Sequence, residues 1–448
     1  MKAVKGKYYF GGIHVKDMKG ISKDAALEVL PDPETVAVSC SQSIGKPSVP
    51  CVEAGQAVKQ GQIIAKADGA VSSDVFASIA GTVTEIKDLK GDGGADEKYI
   101  FIKRGENAEK EFLKPLTSPS AEEIRQRIKD AGIVGLGGAG FPTAVKVSPA
   151  TPVDTLIVNG AECEPYLTCD YRLMLEQADK IARGARYIAS ALGASKIIVA
   201  IEANKPDCIK LFETYEDIQP VILTKKYPTG GEKQLVYSAT GKKITLGKLP
   251  ADFGVVVQNV ATCYAVCEAV ELGKPLIERV VTVSGQGIKQ PKNLWVKIGT
   301  PIKDLVEFCG GEITVIEKNE EGEVVEVTVQ PKKAVLGGPM TGNAIASYDV
   351  YTHKVTSGVL ILTDGEAAAA EPTPCLNCGM CADVCPMHLM PMNTAFYSAG
   401  GDFESAAKYG NVSYCIECGA CEYICPAKRP LIQAIRKTKA ALRKMKEN

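Results

Sequence analysis

Two stretches, CLNCGMCADVCP from Cys375 and CIECGACEYICP from Cys415, repeat one pattern forty residues apart: C-x2-C-x2-C-x3-C-P. No other feature constrains the fold as strongly. Three thiolates two residues apart on a tight loop reach three irons of a [4Fe–4S] cubane. The fourth, placed after a longer gap, points to the cluster of the other run. The pattern therefore groups Cys375, Cys378 and Cys381 with Cys425, and Cys415, Cys418 and Cys421 with Cys385. Pro386 and Pro426 end each run and turn the chain away. Gly379 and Gly419 let backbone amides approach sulfur, where hydrogen bonds tune a cluster's potential. Structural zinc takes four ligands in pairs and would leave the third and fourth cysteines of each run without a role. The eight cysteines read as two [4Fe–4S] clusters and hence one-electron transfer.

Composition agrees. Sixteen cysteines against three histidines (His14, His353 and His388) place the metal inventory on thiolate. The opening MKAVKGKYYFGGIHVKDMKG has scattered charges and no apolar core, so it does not read as a secretory signal. Thiols in such a chain serve metal in a reducing compartment rather than a disulfide framework. A net charge of −1 gives no general reason to expect nucleic acid. No apolar run reaches the ~18 residues of a membrane span.

The 448 residues suit two to four domains, at roughly 150 residues each. Residues 1–30 read as a lead-in arm. Residues 31–115 carry short Val/Ile-rich runs with frequent turns, and resemble the barrel-sandwich hairpins of lipoyl and biotinyl carrier domains. The hairpin tip reads ADGAV, with no lysine between Lys66 and Lys87, so an unmodified scaffold is expected. From 116 to 276, TLIVNG and KIIVAIE flank a helical EQADKIARGARYIASALG, giving an α/β domain. Ser120 and Glu123 form a capping box at its entry. Residues 277–345 have β character around one helix and resemble β-grasp soluble ligand-binding domains. A linker over 346–374, with Ala367–Pro374 at its core, leads to the cluster domain at 375–427. The tail 428–448 is a basic amphipathic helix with Leu431, Ile435, Thr438, Leu442 and Met445 at helical spacing. Such a helix suits anionic lipid or an acidic partner, and equally a solvated helix packed on the cluster domain.

GLGGAGFPTAVK, Gly135–Lys146, fits G-x-G-x-x-G, yet a helix rather than a strand precedes it. It leads toward a helix start at Phe141-Pro142, so a phosphate loop remains while a Rossmann turn does not. This stretch, followed by VNGAECEPY, YPTGGEKQL and VQNVATCYAV, resembles the flavin- and NADH-binding subunit of respiratory complex I and its soluble relatives. With the flanking modules and the opening YYFGGIHVKDMK, the whole chain resembles the C-subunit family of Rnf ion-translocating ferredoxin:NAD oxidoreductases. The fold class implied is multidomain α/β and α+β: barrel-sandwich hybrid, complex I flavoprotein-like domain, β-grasp domain and α-helical two-cluster ferredoxin domain.

The resemblance implies FMN, NAD(H) as substrate, and the following roles. Gly135, Gly137, Gly138 and Gly140 lie against flavin and dinucleotide phosphates, with Lys146 on the FMN side and Phe141 stacked on adenine. Asn159 and Glu162 line the flavin and Glu164 holds the dinucleotide; read alone, the two acids suit flavin or ribose contacts and a surface place at a strand end equally. Tyr227, Gly230, Gly231 and Glu232 form a second wall, and Asn259 and Thr262 approach the isoalloxazine or the FMN phosphate. Leu136 stands where complex I has arginine, and Gly231 where it has glutamate. Cys40, Cys51, Cys163, Cys169, Cys208, Cys263, Cys267 and Cys309 lack cluster spacing and receive no ligand role.

Nicotinamide exchanges a hydride, a cluster exchanges one electron, and a flavin handles both. The expected function is therefore that of a peripheral subunit on the cytoplasmic face of the membrane, working with membrane-integral and ferredoxin-like partner subunits. Alternatives are a soluble flavin/iron–sulfur reductase such as the cobalamin reductase of propanediol microcompartments, and a non-catalytic electron-wiring protein.

Overall fold

TLIVNG, KIIVAIE and VVVQN are apolar over most of their length, as strands buried on both faces of a parallel sheet must be. In the computed structural model they form Thr155–Gly160, Lys196–Glu202 and Val255–Asn259. The structure describes residues 1–91, 94–106, 109–318, 324–328, 331–367 and 371–447. Five parallel strands stand in the order Val4–Lys5, Ile218–Leu223, Lys196–Glu202, Thr155–Gly160, Val255–Asn259. The chain winds away from Thr155–Gly160 on one side and returns on the other. That reversal opens a crevice at the carboxyl ends of Thr155–Gly160 and Val255–Asn259, where doubly wound sheets bind ligands.

The glycine turn lies ahead of this sheet, after helix Ala121–Asp130, so it is no Rossmann βα turn. The sheet itself nevertheless has doubly wound order, which the turn's position had concealed. Ser120 caps the helix as expected: its hydroxyl accepts from the Glu123 amide at 3.3 Å, and its amide donates to the Glu123 carboxylate at 2.8 Å. Helix Thr143–Lys146, after the turn, is only four residues long. The long helix at the crevice is instead Val260–Leu272, whose first turn is capped by Asn259 through the Ala261 amide at 2.8 Å.

Residues 1–30, expected as a lead-in, are woven into three units. Val4 pairs with Val221 at the edge of the parallel sheet, Ile13 bridges Tyr227, and Leu27–Val29 joins the β-grasp sheet beside Asn293–Trp295. That six-stranded sheet runs Asn343–Ile345, Lys333–Leu336, Gly358–Leu362, Glu278–Ser284, Lys292–Lys297, Leu27–Val29. Gly358–Leu362 falls inside the expected linker 346–374, yet its five residues are buried in the middle of the sheet. The linker is corrected accordingly: its apolar GVLIL completes a core. Residues 368–370 of the expected linker core lie outside the described residues. The barrel-sandwich unit is a four-stranded and a three-stranded sheet, with ADGAV between Ile63–Lys66 and Val75–Phe76.

The cysteine repeat is a repeat in backbone as well. Positive φ recurs at Asn377 and Glu417 (both 54°), at Gly379 and Gly419 (78° and 77°), and at His388 and Lys428 (54° and 50°). Each pair keeps the forty-residue offset. Helix Leu431–Glu447 buries Leu431, Ile435 and Thr438 against this module, so that apolar face is occupied by protein.

Candidate functional site

An open cleft, about 960 Å³ with its solvent-filled mouth included, sits at the crevice. Of the nucleotide residues named from sequence, Gly137, Gly138, Asn159, Glu162, Glu164, Gly230 and Asn259 line it. Gly138 has φ of 103° and open space where a side chain would project, so ligand can lie directly on its backbone. The turn is closed by Gly135 and Gly140, through Gly135 N–H to the Phe141 carbonyl at 2.9 Å and Gly140 N–H to the Gly135 carbonyl at 3.1 Å. Buried Thr262 anchors it, its hydroxyl accepting from the Leu136 amide at 3.0 Å.

The other named residues stand behind the lining. Lys146 pairs with Glu232 at 2.7 Å and donates to the Val257 carbonyl at 3.1 Å. Phe141 is half-buried at the end of the turn. Gly231 faces the cluster module, where an added Cβ would come 3.6 Å from Ile416. Since Thr143–Lys146 is a single turn, its amino end offers little of the helix field that the sequence pattern assigned to phosphate.

Asn159 holds the Gly230 carbonyl at 3.0 Å, tying the first wall to the second. The Glu162 backbone has φ of 44°. Its Oε1 accepts from the Asp170 amide at 2.7 Å, while buried Oε2 has an ion pair with Lys19 at 3.5 Å and no hydrogen bond. That orphaned acceptor and the bare turn suit a polar, flat ligand such as flavin. Glu164 accepts from the Met340 amide at 3.0 Å and the Thr341 hydroxyl at 2.5 Å. Burial pushes its carboxyl up from the usual range.

Sequence reasoning missed two contributors. Asp170 lines the cavity and accepts from the Asn259 amide nitrogen at 2.7 Å. Burial first, then the Glu162 charge, raises its carboxyl to about 7. Its signal was its place four residues after the VNGAECEPY motif. The second is the β-grasp loop Gly337–Gly342, whose three glycines in six residues mark a tight turn and nothing more from sequence.

A second, narrow cleft is lined by Cys385, Cys415, Cys418 and Cys421, amid Met387, Leu389, Val412, Ile432 and Ile435. These four are the set that the spacing groups around one cluster. Among the described residues no three metal-binding side chains converge on a single ion. Four cysteines drawn from both runs, with the spacing of each run, suit a cubane better than one tetrahedral zinc. Amides already point at sulfur: Leu389 N–H to Cys385 at 3.3 Å and Glu417 N–H to Cys415 at 3.3 Å. Burial, with Cys415 and Cys385 adding and the Ala420 amide opposing, pushes the Cys418 thiol up to about 12. Bound iron takes thiolate, so loading this site releases protons. In the other set, Cys375 and Cys378 are exposed and Cys381 and Cys425 half-buried.

Tyr227 joins the two cavities. Its hydroxyl donates to the Cys418 carbonyl at 2.6 Å and lies 3.5 Å from Glu164 Oε1. Burial, then the Glu164 charge, keeps the phenol protonated and so a donor. Cys163, on the nucleotide lining, packs in the same apolar cluster as Tyr227, Cys418 and Met340.

Residues 7–107 match the RnfC barrel sandwich hybrid domain, 128–268 the Nuo51 FMN-binding domain, 280–344 the SLBB domain and 374–429 the 4Fe-4S dicluster domain. The chain is 42% identical to the C subunit of the proton-translocating ferredoxin:NAD(+) oxidoreductase complex of Clostridium ljungdahlii, over 97% of this chain and 94% of that one. Identity to the Na(+)-translocating counterpart of Acetobacterium woodii is 38%, over 97% of each. Identity to the C subunit of the ion-translocating oxidoreductase complex of Rhodobacter capsulatus is 40%, over 89% of this chain and 76% of that one. Among solved structures, an air-oxidized NAD+-reducing [NiFe]-hydrogenase aligns with a TM-score of 0.48 at 19% identity, over 72% of this chain and 66% of that one.

Proposed function

This chain belongs to the C-subunit family of Rnf-type ion-translocating oxidoreductase complexes, and from that premise we propose that it is where the complex meets NAD(H). FMN and two [4Fe–4S] clusters are its cofactors. When bound, the flavin converts between hydride and single-electron chemistry. The protein's part is to hold and orient. Gly137 and Gly138 offer bare backbone, and Asn159, Glu162 and Asn259 line the flavin. Glu164 holds the dinucleotide. Cys385, Cys415, Cys418 and Cys421 hold the cluster next to the flavin, and Cys375, Cys378, Cys381 and Cys425 the outer one.

The observation that carries this reading is the Tyr227 bridge, which puts one layer of side chains between the nucleotide cavity and the four inner cysteines. Electrons then cross to or from partner subunits at the exposed Cys375–Cys378 loop. Among the described residues no helix is long and apolar enough to cross a membrane. In this reading the chain sits on the cytoplasmic face through membrane-integral and ferredoxin-like partners.

Cofactor extraction with iron and sulfide analysis tests the proposal, with about eight irons per chain expected alongside FMN. NADH should bleach the flavin absorbance, and a bulky residue at Gly138 should abolish bleaching while leaving iron content unchanged. A wild-type protein that holds FMN but is not bleached by NADH would overturn it.

A further inference from the structure

The proposed function gives the β-grasp unit no task, yet its loop LGGPMTGN is placed as no mere scaffold requires. Leu336, Gly337, Gly338, Thr341, Gly342 and Asn343 all line the nucleotide cleft. The loop is built tight against Glu164. A Cβ on Gly338 would lie 2.2 Å from Glu164 Oε2, and one on Gly342 would lie 2.4 Å from the Leu336 carbonyl. Gly337 has φ of 94°, a conformation that side chains resist. With side chains excluded, the Met340 amide and the Thr341 hydroxyl close on the two Glu164 oxygens at 3.0 and 2.5 Å. The same loop reaches the cluster module, where the Met340 carbonyl lies 2.8 Å from the place of a Gly419 Cβ.

A carboxylate has about four acceptor sites, and the loop takes two of Glu164's. What remains is an acceptor fixed in one orientation, beside Glu162 and Asp170 on the same lining. A fixed carboxylate oxygen is an acceptor, so it suits a hydroxyl donor and not another acceptor such as a phosphate oxygen. The hydroxyls of a ribose are such donors, and in dinucleotide sites a carboxylate commonly takes them.

We propose that the β-grasp loop Gly337–Gly342 is a wall of the dinucleotide site, and that Thr341 is the positioning residue that aims the Glu164 carboxylate at a ribose of NAD(H). This rests on the reading that NAD(H) enters this cavity and is held by Glu164. The β-grasp domain thereby serves its neighbour's ligand.

The test is calorimetric binding of NAD+ to the purified full chain carrying FMN and clusters, with FMN content, iron content and melting temperature measured alongside. Thr341→Val, close in shape but without the hydroxyl, should weaken NAD+ binding about tenfold with cofactor contents unchanged. Thr341→Ser should restore binding. Gly338→Ala, which drives a methyl group into the Glu164 carboxylate, should weaken it by a second route, independent of Thr341. Wild-type affinity in Thr341→Val while Glu164→Gln binds weakly would overturn the positioning role and leave the Glu164 reading standing. Failure of Thr341→Ser to restore binding would also overturn it. If Glu164→Gln binds NAD+ like wild type, the carboxylate reading falls and the proposal with it.

Discussion

The two halves of the cysteine module share a backbone and differ in everything around it. Glu417, Gly419 and Cys421 are packed against the flavin domain, the β-grasp loop and the last helix. Of their counterparts, Asn377 is exposed and, among the described residues, its side chain meets only its own run, through the Cys375 thiol at 3.7 Å. Gly379 has open space beside it, and Cys378 is exposed while Cys418 is half-buried. A Cβ on Gly419 would press on the Met340 carbonyl at 2.8 Å; one on Gly379 would meet nothing within 4 Å. Ligand geometry is thus set locally by the repeat, whereas access is set by what the rest of the chain lays over it. In the proposed reading, the covered half exchanges electrons within the molecule and the exposed half exchanges them outside it.

Removing a ligand from each half makes the largest test. Cys418→Ser should abolish NADH-driven reduction of an external ferredoxin-type acceptor, with iron falling from about eight to about four per chain. Cys378→Ser should lose the same iron yet keep NADH-dependent reduction of the inner cluster, read by low-temperature EPR. If the outer variant instead loses that signal, the order of the two halves is reversed.

The glycines sharpen the contrast. Gly379→Ala carries only the left-handed strain of about 1–2 kcal/mol, whereas Gly419→Ala adds overlap with backbone and should cost about 3 kcal/mol or more. Thermal melts of the cluster-loaded protein give both values, and equal losses would deny that Met340 presses on the inner loop. Tyr227→Phe removes one buried donor and should cost about 1 kcal/mol, leave the unpaired Cys418 carbonyl to lower the inner cluster's potential, and spare the outer. A redox titration separates the two. The smallest effect is expected at Lys439, which donates to the Cys415 carbonyl and pairs with Glu417, each at 2.7 Å. Lys439→Met should destabilise the inner half by about 1 kcal/mol at most, since the pair is partly solvated.

Sequence made the gathering of Cys385 with Cys415, Cys418 and Cys421 legible because their spacing is local: a thiol two residues from the next is constrained whatever surrounds it. The glycine turn and the Asn159 and Asn259 strand ends were legible for a similar reason, each lying within a short motif. The arm was misread because Val4–Lys5 and Leu27–Val29 are two and three residues long, too short to show periodicity. Gly358–Leu362 was taken for linker because GVLIL stands alone before a polar, alanine-rich stretch, and an isolated apolar run does not name its sheet. Asp170 and Thr341 escaped because their roles exist only once distant segments converge, with Glu164 and Thr341 177 positions apart.

The parallel sheet of the flavin domain is closed at one edge by Val4–Lys5, which pairs with residues more than two hundred positions later. During synthesis Val4–Lys5 therefore has no berth until its partner strand has been made, and Gly12 must wait longer still for the Val384 carbonyl, which it meets at 2.7 Å. These upstream contacts act as a latch, thrown only after the compartments behind it have been furnished.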